Sequence, residues 1–146
     1  MTNAYEAAYN ASMNDREGFW AEAAKSVSWI KSWDAVLDDT HKPFYRWFPG
    51  GLLNTCYNAV DRHVEAGRGD QSAIIYDSPV TNSVRKITYS ELLYQVSKVA
   101  GALTGLGVVK GDRVIIYMPM IPEAVVSMLA CARLRLPRLS WYRRWL

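Results

Sequence analysis

Cys56, Asp61, Arg62 and His63 lie close together in the sequence. A thiol, a carboxylate and an imidazole near one another are the parts of a nucleophile–base pair. Cys56 and His63 are seven residues apart, two turns of an α-helix, so a helix through them would carry both on one face. The simpler reading is favoured: a core thiol behaves as a small hydrophobe, and a histidine at its edge makes a hydrogen bond. His41, beside Lys42 and Pro43 in a polar turn, lacks the neighbours of a metal ligand and reads as solvated. Cys56 and Cys131 have no Cys-x-x-Cys spacing, so they imply neither a zinc site nor a disulfide framework. Trp20, Trp29, Trp33 and Trp47 have the chemistry of a stacking surface, but basic residues do not interleave them regularly. Packing is the preferred use of such large rings. Gly105-Leu106-Gly107 is followed by glycine only at 111, after a helix and before a strand, which fails the dinucleotide fingerprint in spacing and context. A Walker-type phosphate loop is absent from the sequence.

The elements that must position these residues follow from periodicity. Residues 4–13 suit one or two helical turns, and Asn14 before Asp15 and Glu17 predicts a capped helix over 15–27 with Phe19, Trp20, Ala23, Ala24 and Val27 on one face. From Trp29 to Leu53 the pattern dissolves into single aromatic anchors. Asn54 caps a third helix, closed by Gly67 and Gly69 as left-handed positions. Runs at 73–76 and 85–89 predict a hairpin. Ser90 caps a long helix with Leu92, Leu93, Val96, Val99, Ala100 and Leu103 inward. Val114-Ile115-Ile116-Tyr117 reads as a strand buried on both faces, and Pro122 opens a last helix over 123–134. Strand, helix, buried strand, helix is the start of an α/β fold with a parallel sheet. The layers needed to cover such a sheet are missing from 146 residues, so an open edge inviting self-association is expected.

Half of the residues are hydrophobic and 21% are charged, which excludes a disordered or collagenous chain. The pI of 8.9 belongs to the end of the chain: residues 133–146 carry five arginines and no acid. Nucleic-acid binding is therefore not implied for the chain as a whole. The acidic residues among the first 25 fit neither a signal peptide nor an Arg-rich presequence, so a cytosolic setting is expected. Pro119, Pro122 and Glu123 interrupt the most apolar stretch, and no membrane span is expected. Asn10-Ala11-Ser12 and Arg68-Gly69-Asp70 match extracellular motifs by chance.

One family accounts for these residues together. The stretches Trp47-Phe48-Pro49-Gly50-Gly51, Leu53 to His63, Tyr117-Met118-Pro119-Met120-Ile121-Pro122-Glu123-Ala124 and Met128 to Leu134 resemble the acetyl- and propionyl-CoA synthetases. Ala73 to Thr81 most resembles the propionyl branch. The resemblance covers residues 4–134 and implies an AMP-forming ligase of the adenylating superfamily. Such enzymes join a short-chain carboxylate to ATP, release pyrophosphate, and pass the acyl group from AMP to the thiol of coenzyme A. ATP, Mg and CoA are thus implied for the parent family. The family's Gly/Ser/Thr-rich loop, acyl pocket, ribose-binding acid and catalytic lysine lie beyond the matched stretch. The resemblance accordingly assigns no catalytic, cofactor-binding or metal residue to any position here, and no cofactor is expected for this chain.

The division implied is an N-terminal cap over 1–66, the start of the AMP-binding large domain over 67–134, and an Arg/Trp-rich tail over 135–146 that departs from the family pattern. After Leu134 the family continues Gly-Ala-x-His, whereas this chain reads Arg135-Leu136-Pro137-Arg138. The tail resembles an out-of-frame translation. The expectation is a truncated ligase, inactive alone; whether its parent is mitochondrial under a different start is left open by the sequence. The alternative is a non-catalytic piece that binds a full-length synthetase, a second copy, or a membrane or RNA surface through the basic tail.

Overall fold

The computed structural model describes residues 3–135 and, through their backbone, 138–141. The chain divides into two compact units, Met1–Leu53 and Asn54–Leu146.

In the first unit, α1 (Ala4–Asn14) begins with a capping box in which Asn3 Oδ1 accepts from the Tyr5 amide and Glu6 accepts from the Asn3 amide. It is a full helix, longer than the one or two turns expected, yet none of its residues is buried. α2 (Arg16–Ala24) is capped by Asp15, whose Oδ1 accepts from the Gly18 amide at 2.9 Å. The cap is thus one residue later than Asn14, and the helix ends three residues before Val27. The cause is chemical: the Asp15 carboxylate satisfies a first-turn amide and complements the helix dipole.

Single aromatic anchors become a cluster in the tertiary structure. The Trp29 ring lies 5.0 Å from Trp33 and 5.5 Å from Phe48, and Trp20 meets Trp47 edge-on at 5.9 Å. Trp29 Nε1 donates to the Ala24 carbonyl at 2.9 Å, which ties the cluster to the end of α2. Two short strands, β1 (Leu37–Asp38) and β2 (Arg46–Trp47), pair antiparallel beside it. His41 sits exposed in the turn between them, as its neighbours imply.

The turn after β2 is tight: Phe48 has φ +52° and Gly50 φ +77°. The Phe48 amide donates to Val36 O at 2.8 Å, and ring packing holds the strained residue in place. A Cβ on Gly50 would fall 1.9 Å from Asp34 Oδ2. Gly50→Ala is therefore expected to lower the stability of this unit by about 2 kcal/mol, since left-handed strain adds to displacement of the Asp34 side chain. Tryptophan fluorescence followed through a urea titration reads this directly.

The second unit opens with Asn54, whose Oδ1 accepts from the Tyr57 amide at 3.0 Å. The expected α-helix is wound instead as two π-helical stretches, Tyr57–Asp61 and Val64–Arg68. Gly67 has φ +77°, as expected of a closing glycine, whereas Gly69 is right-handed at −55°. β3 (Ser72–Ser78) and β4 (Ser83–Thr88) form the expected hairpin, turning through Asn82 at φ +47°. α3 (Tyr89–Gly105) is capped by Thr88 rather than Ser90: Thr88 Oγ1 accepts from the Glu91 amide, and Glu91 accepts from the Thr88 amide at 2.8 Å. Only Thr88 has an acidic residue three positions on, so only it forms a reciprocal box.

β5 (Val114–Tyr117), α4 (Pro122–Arg133) and β6 (Arg138–Trp141) form a β-α-β unit, with β5 and β6 parallel. Pro122 stands at the first turn of α4 as its fixed φ favours. The expected open edge of β5 is therefore paired on one side. The expectation of burial on both faces is corrected: Ile116 is 4% exposed, but Ile115 is 70% and Tyr117 64% exposed. One helix covers one face only. The rest of the tail, at 136–137 and 142–146, lies outside the described residues, and so does the basic-tail binding reading that rests on it.

The core of this unit gathers Cys56 and Val60 from the π-helical stretch, Ile87 from β4, Leu92, Val96 and Ala100 from α3, and Val126 and Ala130 from α4. Leu93, Val99 and Leu103 pack partly buried against it. All six apolar positions assigned inward on α3 thus contribute.

Candidate functional site

The residues with chemical capacity separate into three places in the second unit. In the first, Arg133 at the end of α4 reaches Asp61 in the π-helical stretch. Its Nη2 donates to Oδ1 at 2.8 Å and Oδ2 at 2.7 Å. Asn54 Nδ2 donates to the Arg133 carbonyl at 3.1 Å, satisfying one of the terminal carbonyls of α4. The pair is largely withdrawn from solvent, with side-chain exposures of 26% for Arg133 and 18% for Asp61. Burial opposes the arginine charge, but the hydrogen bonds to Asp61 and the adjacent Cys56 sulfur outweigh it and raise its pKa. Arg133 Nε is buried with no hydrogen-bond partner.

Cys56 is fully buried beside this pair, its Sγ 4.0 Å from Asp61 Oδ2. Burial raises its pKa; the Arg133 charge opposes that rise and the Asp61 charge adds to it. A protonated, enclosed thiol is a poor nucleophile. Alkylation of Cys56 at pH 8 is expected to proceed only at the rate of unfolding, which a urea-dependent iodoacetamide time course measures. The sign of the linkage follows: the fold prefers the thiol, so this contribution to stability is complete below the ordinary value of 9.0 and declines as pH rises above it.

His63 is elsewhere. Its Nδ1 lies 3.1 Å from Arg68 Nη1, and since arginine only donates, the imidazole nitrogen accepts. The ring lies 4.9 Å from that of Tyr89, which the Arg68 guanidinium also covers at 5.6 Å. Partial burial, then Arg68 and Arg62, lower the His63 pKa. The structure thus puts Cys56 and His63 to different uses. Seven residues make two turns of an α-helix, but π-helical winding takes more residues per turn and rotates His63 off the Cys56 side. The Asp61–Arg133 pair spans 72 residues of sequence and carries no local signal.

The third place is the pair of helix N-termini that would be the natural anion sites. Both are already occupied by acids. Glu91 stands in the first turn of α3 within its capping box. Glu123 stands in the first turn of α4, hydrogen-bonded to Arg85 Nη2 at 2.9 Å, which lowers its pKa. Carboxylates at these two positions disfavour a polyphosphate there. Among the described residues, no group of three or more His, Cys, Asp or Glu side chains is arranged to hold a metal ion. Also among them, no helix is long and apolar enough to cross a membrane.

Residues 60–145 match the family described as AMP-binding enzyme, and residues 5–59 match the acetyl-coenzyme A synthetase N-terminus. The chain belongs to the AMP-binding enzyme family. It is similar to the human acyl-CoA synthetase short-chain family member 3, mitochondrial, with 57% identity over 130 residues, 89% of this chain and 19% of that protein. It is also similar to acetyl-coenzyme A synthetase of Mycobacterium tuberculosis (strain ATCC 25618 / H37Rv), with 54% identity over 90% of this chain and 20% of that protein. Among solved structures, acetoacetyl-CoA synthetase from Streptomyces lividans superposes with a TM-score of 0.84 at 33% identity, covering 97% of this chain and 22% of that one.

The chain spans about a fifth of the length of the curated relatives it matches. It is the N-terminal part of an acetyl-CoA-synthetase-type member of the AMP-binding enzyme family, and its small sheets agree with an incomplete α/β domain. The seam between the two family regions, at residues 59 and 60, falls inside the π-helical stretch Tyr57–Asp61, where Asp61 meets Arg133.

Proposed function

We propose that this chain is the N-terminal portion of an AMP-forming short-chain acyl-CoA ligase and has no ligase activity by itself. The reaction of the parent enzyme is carboxylate + ATP + CoA to acyl-CoA + AMP + pyrophosphate, with Mg, and propionate or acetate as the acid. The observation that carries this reading is the paired family match, across both the acetyl-coenzyme A synthetase N-terminus and the AMP-binding region, at more than half identity to short-chain synthetases. The chemistry of the described residues supports the absence of activity. Asp61 is engaged by Arg133, Glu123 by Arg85, Glu65 by Tyr57 and His63 by Arg68, so these groups hold elements together.

The purified chain incubated with propionate or acetate, ATP, Mg and CoA is expected to release pyrophosphate at the background rate. Release above background that depends on the acid overturns the reading.

A further inference from the structure

Arg68 closes the second π-helical stretch with a guanidinium that is used on three sides. Its Nη1 donates to His63 Nδ1 at 3.1 Å, its Nε donates to Gln71 Oε1 at 2.8 Å, and its face covers the Tyr89 ring at 5.6 Å. His63 packs against that same ring, with the centroids 4.9 Å apart. These side chains meet where residues 69–71 connect the π-helical stretch to β3, and the turn is fastened to the start of α3. The Tyr89 amide donates to the Gln71 carbonyl and the Ser90 amide to the Gly69 carbonyl, both at 3.0 Å. Amides in the first turn of a helix have no partner within it, so these two bonds report on the turn alone.

The contact between His63 and Arg68 tolerates one protonation state. Arginine carries only donors, so Nδ1 accepts only while it holds no proton. A protonated ring turns an N–H toward Nη1 and sets a second positive charge beside the guanidinium. Its neighbours do not offset that charge. From its own stretch Arg62 and Arg68 bear on the ring, while Asp61 is paired with Arg133 and Glu65 accepts from the Tyr57 hydroxyl at 2.7 Å. From α3 the ring meets Tyr89, Glu91 is held in its capping box with Thr88, and Asp70 on the turn is exposed. We propose that His63, Arg68 and Tyr89 form a pH-sensitive latch: the neutral imidazole holds the turn at residues 69–71 against the start of α3, and the protonated one releases it. Burial, then Arg68 and Arg62, lowers the His63 pKa from the ordinary 6.5. A ring that the fold holds neutral contributes stability that is complete above 6.5 and is lost as pH falls through the lowered value. The latch therefore holds at neutral pH and opens in the acid range.

Amide hydrogen exchange of the full chain tests this at about pH 5.5 and about pH 7.5, with each rate taken relative to that of an unstructured chain at the same pH. Protection of the Tyr89 and Ser90 amides is expected to fall by about threefold or more at the acid pH. His63→Gln supplies an oxygen that accepts from Arg68 and does not titrate, so in that variant protection should be the same at both pH values. His41→Gln, at the exposed histidine between β1 and β2, should leave the fall intact. A second measurement follows the ring itself by proton NMR: the titration midpoint of His63 should rise in Arg68→Met, which removes both the donor and the neighbouring charge.

Equal protection at both pH values in the unaltered chain, a fall that persists in His63→Gln or vanishes in His41→Gln, or an unmoved His63 midpoint in Arg68→Met each overturns the latch. None of these outcomes touches the proposed function, which falls only to pyrophosphate release by the isolated chain.

Discussion

Leu92→Ala is expected to destabilise the second unit by about 3 kcal/mol, the cost of removing a buried isobutyl group and leaving a cavity that its neighbours fill only in part. Leu92 is 4% exposed and belongs to the same core cluster as Val60, Ile87, Val96 and Val126. A unit of this size has on the order of 5 to 10 kcal/mol in total, so the loss takes a large share of it. Amide hydrogen exchange along α3 and α4 reads the change, and it should accelerate in both helices together because they share the core. Tyr94→Ala on the same helix is the control: Tyr94 is 60% exposed, and its replacement should move stability by no more than about 0.5 kcal/mol. Equal effects at both positions would mean that α3 does not bury the face described here.

The second large effect is expected at the Asp61–Arg133 pair. Arg133→Leu leaves the Asp61 carboxylate, only 18% exposed, beside the buried Cys56 without its counter-ion. Breaking a fully buried pair costs about 3 to 5 kcal/mol. This pair keeps some contact with water, so the expected loss is nearer 2 kcal/mol. Asp61→Leu should cost about the same, through an unpaired guanidinium. The double variant Asp61→Leu/Arg133→Leu should recover more than half of either loss, because two apolar groups leave no stranded charge. A double-mutant cycle from urea unfolding measures the coupling between the two sites. Additive losses would mean that the two side chains act separately and that the 2.7 and 2.8 Å contacts contribute little.

Much of the architecture was legible in residue order alone. The inward set of α3, the hairpin around Asn82, the start of α4 at Pro122 and the closing role of Gly67 all follow from local rules of period, cap and turn. The family resemblance over residues 4–134 was legible too, since long stretches such as Leu53 to His63 carry far more information than any short motif. Errors arose where two local solutions compete. Asn14 and Asp15 both qualify as caps, as do Thr88 and Ser90, and the reciprocal carboxylate or the stronger acceptor decides.

The inward face of α3, the hairpin, the family and the absence of a phosphate-binding glycine motif are legible along the chain, because each is written in neighbouring residues. Tertiary structure alone decided the uses of the chemically capable side chains. Asp61 and Arg133 meet across 72 residues, and a meeting of that kind depends on how α4 lies against the π-helical stretch. Cys56 and His63 part because that stretch is wound as a π-helix, a choice that local propensity does not announce. Val114 to Tyr117 reads in the sequence as a strand buried on both faces, and only the packing of α4 on the Ile116 side shows which side of β5 is covered.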